Sequence, residues 1–330
     1  MNRLSTRVVL FFLLVVVILA GCSSAPSASN GSAADAANKP SAASSQPATA
    51  KDAAPAWPRT IKDAVGHDIV LQKKPERIAV LHPVYLDYFF ALGEKPIASV
   101  TAAQAMKDFA TLQPYAKSAN LIDLGSGRDF NLELIAQTNP DVIVTFKGHI
   151  DAHYDNLSKI APVVQIDFAD SWQKATMICA TIVGKEKLAE QYIQETVQLI
   201  GKTKEKLGPK MNQTFALLRI GGKGSFFAPG TNNTMYYKVD GFGMKPPKGY
   251  PADSQVMSLE ALTELNPDYI IVQHDIALAQ AAIKGLESSK VWGSLEAVKR
   301  NHVLLFDNSL NTASVLAVRL AAEKLAELKD

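Results

Sequence analysis

The chain has 330 residues, with Lys+Arg 34 against Asp+Glu 32, a formal net charge of +2 and 47% hydrophobic residues. A balance this even, with no block of like charges, argues against a nucleic-acid partner. The two cysteines, Cys22 and Cys179, are too few for a disulfide framework and form no CxxC pair.

The N-terminus opens on MNRLSTR and continues as an unbroken apolar run from Val8 to Ala20. That run is shorter than the roughly 20 residues a membrane-spanning helix needs. A basic start before a short apolar run reads as a secretory signal over residues 1–21. It closes with LAGC, which resembles a bacterial lipobox; by that resemblance Cys22 carries a diacylglycerol and anchors the chain to the outer face of a cell membrane. Residues 22–56 are nearly all Ala, Ser, Pro, Asn and Gly, a composition that buries no core and reads as a flexible tether. From Trp57 onward about 270 residues remain, enough for two lobes of common size: 57–184 and 209–330, with an interlobe segment at 185–208.

Residues 59–81 predict a hairpin around Gly66 and then a buried strand at 77–81. A helix over 85–92 stops at Gly93, and strands follow at 96–100 and 141–145. Residues 185–207, KEKLAEQYIQETVQLIGKTKEKL, carry apolar side chains at 188, 192, 193, 197, 199, 200 and 207 and no proline. They predict one long amphipathic helix ending at Gly208-Pro209. Strands at 214–220, 269–273 and 302–306 and a helix over 313–328 complete the pattern.

One phrase occurs twice. FNLELIAQTNPDVIV at 130–144 aligns without gaps on MSLEALTELNPDYII at 257–271, with Leu, Glu, Asn, Pro, Asp and Ile at matching places. In each copy a short helix meets Asn-Pro, and proline disfavours the right-handed α conformation in the residue before it. A β-branched apolar run follows, as expected of a parallel strand buried on both faces. The repeat points to two related α/β lobes.

Enzyme motifs fail on inspection. IGGKGSFFAPG at 220–230 lacks the phosphate-loop pattern, and GKT at 201–203 sits inside the long predicted helix. No HExxH, GxSxG or GxGxxG after a strand is present. His149 and His153 have the i, i+4 spacing of a helical metal pair but no accompanying thiol or carboxylate motif, so a solvated helix start is the plainer reading. Cys179 lies in ATMICATIV, an apolar helix face, and reads as a structural thiol.

PERIAVL, YLDYFFALGEKPIASV, YDNLSKIAPVV, NPDYIIV and WGSLEAVKRNHVLLF, in this order and spacing, resemble the iron-siderophore and cobalamin class of ABC-transporter solute-binding proteins. The resemblance implies an α/β fold of two Rossmann-like lobes with parallel sheets, joined by one long α-helix, with the ligand cleft between lobes. It implies a monomer with no catalytic activity and no cofactor of its own, which binds a ferric siderophore or ferric citrate through the chelator and passes it to ABC permease subunits. A helix packed on both lobes implies little closure on binding. Haem or cobalamin is the alternative cargo, with His82 or His274 as haem ligand; a secreted enzyme using the cleft is the alternative class.

Ligands of open parallel α/β sheets sit outside the carboxyl ends of the strands. Those ends deliver His82, Lys107, Arg128 and Lys147 in the first lobe and Arg219, Phe226 and His274 in the second. Arg219 stands inside the apolar run FALLRI, where a charge is costly unless an anion or partner meets it. In the resembling family an arginine at this strand end contacts an anionic ferric chelate; an internal salt bridge is the alternative. A cationic cleft suits citrate or catecholate chelates. Phe226, Phe227, Tyr236 and Tyr237 offer an aromatic wall, although the tyrosines fit core packing equally well. The family presents acidic residues to its permease at the tip of each lobe. Asp87 and Asp240 hold those places here, with the shorter Asp where Glu is usual, and a solvated helix carboxylate is the other reading.

Overall fold

The computed structural model describes residues 56–222 and 225–328. The expected signal segment and Cys22 therefore lie outside the described residues. The chain begins as an antiparallel hairpin, β1 (Arg59–Lys62) with β2 (Asp68–Leu71), which turns at Gly66. β3 (Ile78–Val80), α1 (Val84–Ala91), β4 (Ala98–Ser99), α2 (Ala102–Asp108) and β5 (Ile122–Asp123) follow. A small hairpin of β6 (Gly125–Ser126) and β7 (Asp129–Phe130) leads to α3 (Leu132–Gln137), β8 (Val142–Phe146), α4 (Tyr154–Ile160) and β9 (Val163–Ile166). The first sheet has the order β5-β4-β3-β8-β9, with every pairing parallel.

Two helices, α5 (Trp172–Val183) and α6 (Glu186–Leu207), lead into the second half. There β10 (Phe215–Ile220), β11 (Phe226–Ala228), β12 (Gln255–Met257), α7 (Leu259–Leu265), β13 (Tyr269–Gln273), α8 (Ile276–Leu286), α9 (Lys290–Ser294), α10 (Glu296–Lys299), β14 (Val303–Phe306) and α11 (Val315–Ala326) succeed one another. The second sheet runs β12-β11-β10-β13-β14. The expectation of two parallel sheets is corrected here: β10, β13 and β14 are parallel, but β11 is antiparallel to both β10 and β12. The connection after Ile220 is too short for a crossover, and a short connection can only reverse the strand.

The repeated phrase does the same work in both halves. Asn139 and Asn266 adopt positive φ (44° and 37°), a left-handed conformation that asparagine tolerates. This stops each helix and swings the aspartate onto the neighbouring strand. Asp141 Oδ2 accepts the backbone N–H groups of Glu76 and Arg77, both at 3.0 Å, just ahead of β3. Asp268 Oδ2 accepts the N–H and hydroxyl of Thr214, both at 2.8 Å, just ahead of β10. Each aspartate thus fixes where the adjoining parallel strand begins.

Strand alternation divides the core into three. Phe215 and Leu217 point into a large central cluster that also takes Ile78, Val80, Phe89, Cys179, Ile200 and Leu325. Ala216 and Leu218 point into an outer cluster with Trp292, and Ala79 and Leu81 into its counterpart in the first half. The central cluster belongs to both halves. α6 lies along it, packed on α5 and α11; of the apolar residues expected on its face, Ile200 and Leu207 are buried and Tyr192, Ile193 and Leu199 pack partly buried against the cluster. Ala189, Thr196, Ile200, Thr203 and Leu207 face inward, whereas Leu188 and Val197 are exposed. The threonines are buried at low cost because Thr196 and Thr203 donate their hydroxyls to the carbonyls of Tyr192 and Leu199, one turn back. Lys185 beside the N-terminal end pairs with Glu94 at 2.8 Å, and Lys204 near the C-terminal end donates to the Val239 carbonyl at 3.0 Å. No described helix is long and apolar enough to cross a membrane.

Candidate functional site

The carboxyl ends of the first sheet gather two imidazoles and two phenyl rings. His82 leaves β3 with its ring 5.3 Å from Phe146, 5.6 Å from Phe168 and 6.5 Å from His149. Phe146, the last residue of β8, stacks on His149 at 4.4 Å. Phe168, just after β9, is 59% exposed, a large apolar surface left open at the strand ends. His149 is buried; its Nδ1 meets Thr145 Oγ1 at 2.8 Å and its Nε2 meets the Gly127 carbonyl.

Burial, and secondarily the neighbouring His149, push the His82 imidazole down to about 4. His149 is also lowered, by burial and by the Arg128 guanidinium, against the pull of the Gly127 carbonyl. Both rings are therefore neutral at pH 7 and contribute surface and hydrogen bonding rather than charge. Arg128 is exposed and donates to the carbonyls of Gly148 and His149 at 3.1 and 3.0 Å, clamping the loop after β8. Lys147 is paired with Asp167 at 3.7 Å and is therefore not a free cation. Lys107 is exposed in the last turn of α2. The broad cationic wall expected from sequence is thus narrower than its residue types suggest.

In the second sheet Arg219 shares a face of β10 with Phe215 and Leu217 and lies opposite Phe227 on β11. It is partly buried, and desolvation lowers its guanidinium. Among the described residues no carboxylate pairs with it; its Nη2 donates to Asn308 Oδ1 at 3.0 Å. The salt-bridge alternative is therefore absent among those residues, and Arg219 carries a charge held by an amide alone. His274 follows β13, with its N–H on the Phe306 carbonyl and its Nδ1 buried without a hydrogen-bond partner among the described residues.

Four expected residues lie elsewhere. Phe226 is 1% exposed and stacks near Trp292 in the outer core, because alternation turns it away from Arg219; Phe227, its neighbour, is the one on the Arg219 side. Tyr236 is 1% exposed, with its hydroxyl on the Leu310 carbonyl, and Tyr237 spends its hydroxyl on the backbone of Phe215 and Leu217. Both are core residues. Asp87 is 1% exposed and bonded to Thr111 and Ser314, so it presents no carboxylate to a partner. It joins the two halves instead, one oxygen receiving the Thr111 hydroxyl from the first and the other the Ser314 hydroxyl from the second. Asp240 is exposed in the turn after Val239 and remains available to a partner. Cys179 is buried, and burial pushes its thiol up, as a structural role requires.

Sequence reasoning missed Phe168 and Asn308. The signal for Phe168 was its place directly after a parallel strand; Asn308 has the same place two residues past β14. Two small clefts, of about 250 Å³ (lined in part by Tyr269 and His302) and about 180 Å³ (lined in part by Val70 and Asp141), lie toward the amino ends of the strands. The chemistry described above is at the opposite, open ends.

Comparison with known proteins agrees with this architecture. Residues 78–310 match the family model described as periplasmic binding protein. The iron-uptake system-binding protein of Bacillus subtilis is 30% identical over 221 residues, spanning 62% of this chain and 68% of that one. The putative ABC transporter substrate-binding lipoprotein YhfQ of the same organism is 25% identical over 278 residues, 76% of this chain and 82% of its own. Among solved structures, Staphylococcus aureus SirA complexed with staphyloferrin B superposes with a TM-score of 0.67 at 25% identity, covering 82% of this chain and 97% of that one.

Proposed function

Since the chain belongs to the periplasmic binding protein family, we propose that it is an extracytoplasmic solute-binding lipoprotein that captures a ferric chelate between its lobes and hands it to an ABC importer. The relatives named for iron uptake and for a siderophore complex support the cargo. The observation that carries the reading is Arg219, a partly buried cation with no carboxylate partner among the described residues, beside an aromatic ring at a strand's carboxyl end. Holding such a charge half out of water is costly unless an anion arrives to meet it. Ferric citrate and ferric catecholates are anionic, and the first lobe's Phe146, Phe168 and neutral His82 provide a surface against which the organic part of a chelate packs.

The iron is held by its chelator. Among the described residues no group of three His, Cys, Asp or Glu is disposed to hold a metal ion, and the low-lying His82 imidazole is neutral, with its Nδ1 accepting the Val84 N–H at 3.3 Å. The protein's work is binding and delivery rather than turnover. Cys22, after the short apolar run, is the site of the lipid anchor, and the exposed Asp240 is the acidic residue offered to a permease.

Titration of the purified mature protein with ferric citrate and a ferric tris-catecholate, followed by quenching of its tryptophan and tyrosine fluorescence, tests the cargo. Saturable binding of at least one complex, with the chelate recovered intact, is expected; no binding to any ferric complex would sink the proposal. The anchor is tested by labelling cells with a fatty-acid analogue, which Cys22→Ala should no longer incorporate.

A further inference from the structure

The segment from Asp307 to Ser314 is gripped from three directions. Within the second lobe, the Leu310 carbonyl receives the Gln273 amide at 2.8 Å and the Tyr236 hydroxyl at 3.3 Å. From the first lobe, the backbone N–H of Ala110 donates to Asp307 Oδ1 at 3.1 Å, Tyr88 donates to the Ala313 carbonyl at 3.3 Å, and Asp87 takes the Ser314 hydroxyl. Asp307, itself buried, also caps its own turn by accepting the Ser309 N–H at 2.9 Å. The segment is the place where the first lobe reaches the carboxyl end of β14.

On that segment stands Asn308, the one described side chain to which Arg219 donates a hydrogen bond. A guanidinium has five N–H donors, and an amide oxygen takes up one while leaving the charge uncancelled. A carboxylate in the same place would hold the fork equally well but neutralise it. Asparagine at 308 thus orients the cation and keeps it available.

We infer that Asn308 is the positioning residue for Arg219, and that through Asp307 and Ala110 it links the orientation of that cation to the junction between the lobes. This rests on the ligand-binding reading above. When an anionic chelate enters, Arg219 is already aimed, which saves the cost of ordering a long flexible side chain at the moment of binding. Any shift of the first lobe at Ala110 is passed to the turn that holds the guanidinium.

The experiment compares ferric citrate affinity, its ionic-strength dependence and melting temperature in the parent and in Asn308→Ala, Asn308→Asp, Asp307→Asn, Arg219→Ala and the double variants with Arg219→Ala. Removing the hydrogen bond that orients the guanidinium with Asn308→Ala should weaken binding roughly 2- to 10-fold. Asn308→Asp should weaken it more and flatten its salt dependence while leaving the protein at least as heat-stable, since the new carboxylate pairs with the cation. In the Arg219→Ala background, Asn308→Asp and Asp307→Asn should add little, as expected of residues that act through the one removed. Asn308→Asp binding like the parent, or losses that add fully to that of Arg219→Ala, would overturn the inference. A parent protein that binds no ferric chelate would instead remove the functional reading on which it rests.

Discussion

In the first lobe a helix separates β3 from β4, and all five strands run the same way; in the second the chain reverses within a few residues of Arg219, and β11 runs back beside it. The amino ends of the two sheets are nearly interchangeable, each clipped by the aspartate of the same repeated phrase. The carboxyl ends are not. One offers neutral imidazoles and phenyl rings, the other a cation beside Phe227. Where a strand starts is a problem of folding, solved once and used twice; where it stops is where the two lobes acquire different chemistry.

The sharpest test of that contrast removes the charged end. Arg219→Ala takes away a charge-assisted contact of the kind typically worth about 1.5–3 kcal/mol, so affinity for an anionic ferric chelate should fall roughly 10- to 150-fold. Parallel melting curves should hardly move; normal binding with a much lower melting temperature would assign Arg219 to the fold.

The shared ends can be broken as well. Asp268→Ala leaves the Thr214 N–H and hydroxyl without their acceptor in a partly buried setting, a loss of about 1–3 kcal/mol. Asp141→Ala should cost less, because the N–H groups it serves are exposed and water replaces it. Denaturant titrations that rank the two the other way would show that the phrase is not doing the same work in both lobes.

Where the lobes join, Asp87 makes a pH-dependent prediction. Burial pushes its carboxyl up to about 7, against the hydrogen bonds from Ser314 and Thr111, with Asp307 adding to the rise. Between the ordinary carboxylate value and 7 the folded protein holds a proton that the unfolded chain has released. The stabilisation this gives is complete at the acid end and is lost as pH rises through 7. Asp87→Asn is neutral throughout, so its melting temperature relative to the parent should climb between pH 5 and pH 8. His82, held near 4, acts in the opposite sense at the lower end in both proteins and cancels in the difference. A difference that does not change with pH would refute the assignment.

Lys147→Ala should have the smallest effect. Half exposed and paired with Asp167, it contributes at the level of a surface ion pair, roughly 0.2–1 kcal/mol. A loss as large as that for Arg219→Ala would mean that the first lobe carries the charge recognition after all.

The fold was readable because its signals are local. Helix stops at Gly93 and at Asn-Pro, and unbroken apolar strands, placed the first hairpin, α1, α6, α11 and the central parallel strands within a few residues, whereas β9, α8 and the antiparallel β11 and β12 carried no such signal. The threonines in the buried stripe of α6 were not readable, because side chains that return their hydroxyls to the preceding turn look polar in sequence and behave as apolar in place. The carboxyl ends of β3, β10 and β13 fall where the sequence placed them, with His82, Arg219 and His274 at those ends. Which neighbour of a pair turns inward was another matter: Phe226 and Phe227 are equivalent until β11 is known to run antiparallel to β10. Asp87 reads as a surface carboxylate in sequence because its two hydroxyl partners are 24 and 227 residues away, a separation no local pattern reveals.

The central core has a consequence for the order in which the molecule is made. It is lined by α1, α5 and α6, which emerge early in synthesis, and by Val315, Val318, Ala321, Ala322 and Leu325 of α11, the last of the described helices. Segments that emerge first generally fold first, but here the earlier helices keep an uncovered apolar flank until α11 has arrived. The first lobe can lay down its sheet early and still wait, sticky on one side, for a segment more than a hundred residues downstream of α6's end. Chains that stop before Val315 should therefore aggregate rather than persist as a folded first half.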